Sequence, residues 1–266
     1  MSLDTVKLGN LSVSRLILGG NPFAGFSHQN PQRDEEMRRY YTTARIKETL
    51  RQAEQAGINT FLGRTDRHTT RTLLEYRDEG GTIQWIAQTA PELASTSRAI
   101  HEAIYGGANA VFIHGGQMDY LTANKQLDLV APAIEQIHKA GLPAGVAGHT
   151  PAVFEWAEKN VNVDFYMCSY YNPSDRSQTA EHAIGTEERF LSENRDAMVA
   201  TIRNLRKPVI HYKIFAAGRN DPKEAFAYLA RNLRLNDAAC IGVFTRDNPN
   251  MIADDIDLFE QALRAR

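Results

Sequence analysis

The chain predicts a single α/β domain over residues 1–266, a (β/α)8 TIM barrel with an N-terminal β-hairpin. Three observations carry this. The chain has 266 residues, and roughly 250 is the usual length of one such barrel. Eight short apolar segments each follow a glycine or a helix end, and helical patterns separate them, as βαβ units require. A hairpin signal precedes the first of the eight.

The elements follow in order. Val6-Lys7-Leu8 and Leu11-Ser12-Val13 flank Gly9-Asn10, a pair suited to a tight hairpin turn. Leu16-Ile17-Leu18 is barrel strand one and ends at Gly19-Gly20. The other strands are read at Asn59 to Leu62, Ile83 to Ala87, Ala110 to His114, Ala144 to Ala147, Phe165 to Ser169, Pro208 to Lys213 and Cys240 to Phe244. Between them, Ile46, Leu50 and Ala53 recur at helical spacing and stop at Gly57, a C-cap. Leu93 to Tyr105 and Leu127 to Ile137 repeat that pattern, and Pro222 opens a helix reaching Leu233. Residues 21–42 and 172–186 are long connections. In a compact domain such lengths mark a functional lid or a disordered segment.

A net charge of −2 argues against nucleic acid or an anionic membrane as the main partner. No run of about 18 apolar residues is present to cross a membrane. Met1-Ser2-Leu3-Asp4 lacks the basic and apolar parts of a secretory signal. Two cysteines, Cys168 and Cys240, fit a reduced, cytoplasmic protein. The expected partner is a small-molecule substrate.

Active sites of such barrels sit at the C-terminal ends of the strands. Asn21, Arg64, Asp66, Gln88, His114, His149, Tyr171, His211, Lys213 and Thr245 collect there. A purely structural barrel end does not need so many ionisable groups, and this is the main sign of an enzyme. Strand alternation sets His211 and Lys213 on the face opposite Tyr212, unless the strand has already ended. In the mouth, desolvation and neighbouring cations would depress the Lys213 amine, making it a base or a Schiff-base nucleophile. His114, His149 and Asp66 form an alternative set for a divalent metal, with no local motif behind it. Arg64 and Asp66 can also pair with each other. Cys168 reads as a small buried residue rather than a nucleophile. Thr245-Arg246-Asp247-Asn248 precedes a helix, and a helix start beside an arginine can hold a phosphate.

Gly57-Ile58-Asn59-Thr60-Phe61 resembles the second barrel strand of the aldo-keto reductases. Val6 to Gly20, Val111 to His114, Gly145 to His149, Tyr171-Asn172 and Tyr212 to Gly218 are similar to other segments of that superfamily, in the same order. The resemblance implies the barrel, a bound NADP and an Asp, Tyr, Lys and His tetrad. Only His114 matches the tetrad. Leu62 stands for the Asp, Arg67 for the Tyr, and Gln88 lies near the Lys position. The Ser-Asn pair that holds the nicotinamide carboxamide reads Ala147-Gly148, and the strand-six Gln position is Cys168. Tyr212 keeps the ring-stacking position.

The expectation is therefore a divergent oxidoreductase acting on a small carbonyl or sugar-like substrate. NADP would be held by Tyr212, Arg246 and Asn248, and His114 with Arg64 or Arg67 would polarise the carbonyl. The first alternative is a lyase, isomerase or hydrolase using His114, His149 and Lys213 or a metal. The second is a non-catalytic ligand-binding barrel. Fold alone does not choose among them.

Overall fold

The computed structural model describes residues 3–91, 95–181 and 188–266. Its strands are β1 (Thr5–Leu8), β2 (Leu11–Ser14), β3 (Leu16–Gly19), β4 (Thr60–Arg64), β5 (Gln84–Gln88), β6 (Ala110–Ile113), β7 (Ala144–Gly148), β8 (Phe165–Ser169), β9 (Val209–Tyr212) and β10 (Ala238–Gly242). Its α-helices are α1 (Pro31–Tyr40), α2 (Thr43–Gln55), α3 (Arg67–Asp78), α4 (Thr96–Tyr105), α5 (Gly115–Ala123), α6 (Val130–Lys139), α7 (Pro151–Asn160), α8 (Ser192–Ile202), α9 (Pro222–Asn232) and α10 (Met251–Arg264). Strands β3 to β10 pair in sequence order, all parallel, and β10 pairs back onto β3 to close the barrel.

Alternation along the strands sorts two cores. Ile17, Leu62, Ile86, Phe112, Met167 and Ile210 fill the barrel interior. Their neighbours Leu16, Leu18, Trp85, Val111, Tyr166 and Cys168 face outward and pack with the apolar stripes of the helices. Val6, Leu8 and Val13 of the antiparallel β1–β2 hairpin join the interior cluster. Gly9, at φ +59°, turns beside Asp164, just ahead of β8. The hairpin thus plugs the N-terminal end of the barrel and leaves the opposite end as the mouth.

The structure moves several boundaries. β10 begins at Ala238, two residues before the expected start. Its entry is fixed by Asp237, whose Oδ1 accepts the backbone N–H of Val209 on β9 at 2.9 Å. β9 ends at Tyr212 rather than Lys213, because Lys213 sits at φ +58°. Leu127–Leu129 forms a 3-10 turn ahead of α6 rather than the start of one helix. The helix expected from Leu93 begins at Thr96, where the Ser95 hydroxyl accepts the N–H of Arg98; residues 92–94 lie outside the described residues. Residues 21–42 hold a 3-10 turn, Pro22–Ala24, and then α1, with Asn30 capping Arg33 N–H and Pro31 in the first turn. Of the second long connection, residues 182–187 lie outside the described residues. No helix among the described residues is long and apolar enough to cross a membrane.

Candidate active site

A cavity of about 610 Å³ opens at the C-terminal end of the barrel. Leu62, Gln88, Met167, Tyr212 and Cys240 form its floor. Asn21, Phe26, His28, Arg33 and Met37, from the connection after β3 and from α1, make one wall. Lys213, Ile214 and Phe215 make another, and Asp247, Asn248, Met251, Asp254 and Asp255 close the far end. Residues 21–42 are therefore an ordered wall of the cavity.

Lys213 is the central feature. Its left-handed backbone breaks the alternation of β9, so Lys213 follows Tyr212 into the cavity rather than facing the helices with His211. A non-glycine residue at such a φ stores strain of order 1–3 kcal/mol and persists only where its surroundings impose it. The Lys213 Nζ lies 3.0 Å from His28 Nε2. His28 Nδ1 lies 2.9 Å from the Glu188 carboxylate, with side-chain exposures of only 14% and 5%. His28 is itself left-handed, at φ +55°. The loop after β9 fixes it: Arg219 donates to the His28 carbonyl and Gln29 donates to the Ala217 carbonyl. Burial lowers the Lys213 amine to about 8, with Arg176 and Arg219 adding to the fall and Glu188 opposing it.

A second relay stands beside it. The Asp119 carboxylate on α5 accepts from His149 Nδ1 at 2.6 Å and from the His149 backbone N–H at 3.0 Å. That fixes the ring so that Nε2 faces the Tyr212 hydroxyl at 3.3 Å. Burial lowers the His149 pKa despite Asp119, so the ring is neutral and Nε2 offers a lone pair to Tyr212. Burial and the Asp119 charge hold the Tyr212 phenol well above its ordinary value, keeping its proton on at neutral pH.

His114 lies just past β6 as the N-cap residue of α5, and its Nδ1 is buried without a hydrogen-bond partner. Burial, then His149, Arg64, Arg176 and Lys213, push its pKa well below the ordinary value. Arg64, the last residue of β4, lies over the Phe26 ring at 5.1 Å and 4.0 Å from Asp66.

The other sequence candidates fall elsewhere. Arg67 is the first residue of α3 and is exposed, because the Asp66 carboxylate caps that helix at Thr69 N–H and turns the chain away from the mouth. Asp66 is thus committed to a cap, and His149 Nδ1 to Asp119. Among the described residues no group of three His, Cys, Asp or Glu side chains is placed to hold a metal. Met167, not Cys168, reaches the cavity from β8; Cys168 is fully buried among the helices, and burial pushes its thiol well above the ordinary value.

The nicotinamide expectation meets a poor fit at its phosphate end. Arg246 is half exposed and faces Glu36 at 3.7 Å, away from the cavity. Asn248 does line the cavity, but it donates to Asp254 at 2.7 Å. Asp247, Asp254 and Asp255 gather there, and burial with Asp254 pushes the Asp255 carboxyl up to about 7. Arg33 pairs with Asp247 at this end and Asp255 is only partly ionised at neutral pH, so Asp254 is the carboxylate that opposes a 2′-phosphate.

Sequence reasoning missed His28, Asp119, Arg176 and Glu188. None sits at a strand end, and tertiary packing sets the direction of each. Asp119 carried the only faint signal, a lone acid in the Gly115–Ala123 segment directly after His114.

No family model matches the sequence, and no curated protein matches it. Solved structures match it in fold. A candidate aldo-keto reductase from Pseudomonas aeruginosa is 17% identical, with 99% of this chain and 95% of that chain covered, at a TM-score of 0.66. The aldo-keto reductase AKR11C1 from Bacillus halodurans is 11% identical, covering 100% and 96%, at a TM-score of 0.62. The N-acetylmannosamine-6-phosphate 2-epimerase from Clostridium perfringens is 13% identical, covering 90% and 92%, at a TM-score of 0.56. The barrel is thus one whose fold the aldo-keto reductases share, as the Gly57–Phe61 resemblance implied. At these identities the likeness is one of fold, and the chemistry rests on the residues of the mouth.

Proposed function

We propose that the protein is a lyase or isomerase that forms a Schiff base between Lys213 and a small carbonyl or sugar-like substrate. The observation that carries this reading is Lys213 itself: an amine lowered to about 8, turned into a cavity by a left-handed backbone and paired with His28. Lowered lysine amines in desolvated pockets are the usual carbonyl nucleophiles.

The groups present balance the step. The neutral Lys213 amine attacks the carbonyl carbon, and as the C–N bond forms Nζ passes one proton to His28 Nε2, whose imidazolium Glu188 stabilises. The carbonyl π pair becomes an alkoxide that takes the Tyr212 proton, leaving a neutral carbinolamine and a phenolate. Return of the His28 proton to the new hydroxyl releases water and leaves an iminium. The iminium draws the electrons of an adjacent C–H or C–C bond into an enamine, while the Tyr212 phenolate takes the proton released from that carbon or from the departing hydroxyl. Tyr212 returns the proton to a carbon of the enamine to re-form the iminium. Addition of water, its proton passing to the phenolate, frees the product and restores the lysine and the phenol. His149 and Asp119 orient Tyr212 throughout.

Borohydride reduction of the protein with small aldehydes and ketones, followed by peptide mass spectrometry, tests the reading. The expected result is one covalent addition on Lys213, absent in Lys213→Met. A panel of short carbonyl compounds that leaves Lys213 unmodified would overturn it.

A second reading, nicotinamide-dependent reduction, is favoured by the reach of the cavity from Tyr212 to α10. At its far end Asp254, which has no cation beside it among the described residues, would select NADH over NADPH. Stabilisation by NADH but not NADPH in a thermal-shift titration would support it, and no shift with either would end it.

A further inference from the structure

Arg176 is buried, at 8% exposure, yet it belongs to the connection after β8 rather than to the barrel. That stretch is held against α5. Asn124 at the end of α5 donates to the Ser177 carbonyl at 2.9 Å, and Asp175 accepts from the Ser177 N–H and hydroxyl. The Ala180 carbonyl lies 2.6 Å from where a Cβ on Gly116 would stand, so only a glycine lets the segment close onto the start of α5, beside His114. Arg176 is thereby held behind the lining of the cavity, close enough for its positive charge to act on His114, His149, Tyr212 and Lys213 alike.

Its own charge is poorly met. The hydrogen bond it makes goes to the Glu181 carbonyl oxygen at 2.6 Å, and no described carboxylate forms an ion pair with it. The two nearby acids are committed, Asp119 to His149 and Glu188 to His28. A guanidinium withdrawn from water needs a counter-charge, and its planar fork matches a carboxylate or a phosphate. His114 adds an unpartnered buried Nδ1 in the same region.

We infer that the substrate carries an anionic group, a carboxylate or a phosphate, which binds Arg176 while the reacting carbonyl meets Lys213. This rests on the Schiff-base reading for its carbonyl half only. The anion half stands on Arg176 and the segment that holds it. Two bound parts fix a small substrate in one orientation, so the ionic contact selects among carbonyl compounds that Lys213 alone would not distinguish.

The test compares matched pairs of probes, glyceraldehyde 3-phosphate against glyceraldehyde and pyruvate against acetone, in the borohydride reaction. The wild-type protein should trap at least one anionic probe about tenfold faster than its neutral partner. In Arg176→Gln that preference should vanish; both probes are compared above the Lys213 value, because removing Arg176 also raises that amine and slows the neutral probe at lower pH. Arg176→Lys, which keeps the charge and serves if the glutamine variant does not fold, should retain part of it. Whichever pair shows the preference identifies phosphate or carboxylate. Equal trapping within both pairs, or a preference that survives in Arg176→Gln, overturns the inference. Should no probe react at Lys213, the Schiff-base reading falls alone. Calorimetry with inorganic phosphate and with oxalate then decides the anion half: loss of anion binding in Arg176→Gln supports it, and unchanged or absent binding removes it.

Discussion

Two consecutive residues of β9 lead to two histidine–carboxylate pairs on opposite faces of the barrel. His211 points outward and meets Asp237, both fully buried. Every polar atom of that pair is engaged. Asp237 accepts from Val209 N–H, Arg234 and His211, and the other His211 nitrogen meets the Tyr170 hydroxyl at 3.0 Å. Tyr212 points inward and reaches the pair of His149 and Asp119, where the imidazole Nε2 has only a 3.3 Å contact and the phenol borders the cavity. The chemical groups match, but their saturation differs. A pair with all its valences met within the fold is a fastener. One left under-satisfied beside a cavity can accept or give a proton to something that enters.

The sharpest way to break this comparison is Asp237→Ala. It strands the Val209 N–H, His211 and Arg234 inside the protein, and removing one partner of a buried ionic network costs about 3–5 kcal/mol. Urea denaturation at neutral pH should show that loss. The Asp237 carboxyl lies far below its ordinary value, held down by His211 and Arg234 against burial. Its stabilisation is therefore complete above the unfolded carboxylate pKa, about 3.9, and fades as pH falls below it. The gap between wild type and variant should stay constant from neutral pH to mildly acidic conditions and narrow in stronger acid. A loss under 1 kcal/mol would reduce the network to an ordinary surface bridge.

Asp119→Asn probes the other pair and should give the reverse profile. The amide keeps an acceptor for the His149 backbone N–H but no longer selects the Nδ1-protonated ring. We expect a small stability change and a fall of about 10²-fold in the rate of Lys213 adduct formation, the lower end of what a positioned proton donor contributes. A loss of stability like that of Asp237→Ala, with the rate in the folded variant unchanged, would make Asp119 a second fastener and erase the distinction.

The barrel was legible because eight apolar runs and their helical spacers carry two different periods. The start of β10 was not, because Ala238 to Phe244 is almost wholly apolar and gives alternation nothing to phase on. In the site, His114, His149, Tyr212 and Lys213 were visible as polar residues at or near strand ends. Their assembly into relays was not. Asp119 projects from a helix, Glu188 and Arg176 from a connection, and His28 from a wall segment at positive φ, and no sequence period encodes where such side chains point. Arg67 and Arg246 looked like mouth residues for the opposite reason. Sequence position places them just past strand ends, but a helix cap and an outward ion pair carry their side chains away.

Lys213 offers the finest test, because both of its unusual properties can be separated. Alternation argued that it should face the helices; a left-handed backbone at φ +58° reverses that. The same backbone costs an ordinary side chain roughly 1–2 kcal/mol that glycine escapes, so Lys213→Gly should be about 1 kcal/mol more stable than Lys213→Ala in chemical denaturation. Equal stabilities would mean that the residue relaxes out of its left-handed state once the amine is gone, and that the amine's own contacts hold it there. The amine supplies the second handle. With a folded value of about 8 against about 10.4 unfolded, the unfolded chain binds more protons between those two points. Wild-type stability should therefore rise with pH across that window, and Lys213→Met should remove the rise. The rate of adduct formation should climb through the same lower limit, half-maximal near 8, as the neutral nucleophile appears. A rate that climbs only above pH 10 would return Lys213 to the character of a solvated surface lysine, and the inward face of β9 would then differ from the outward one in geometry alone.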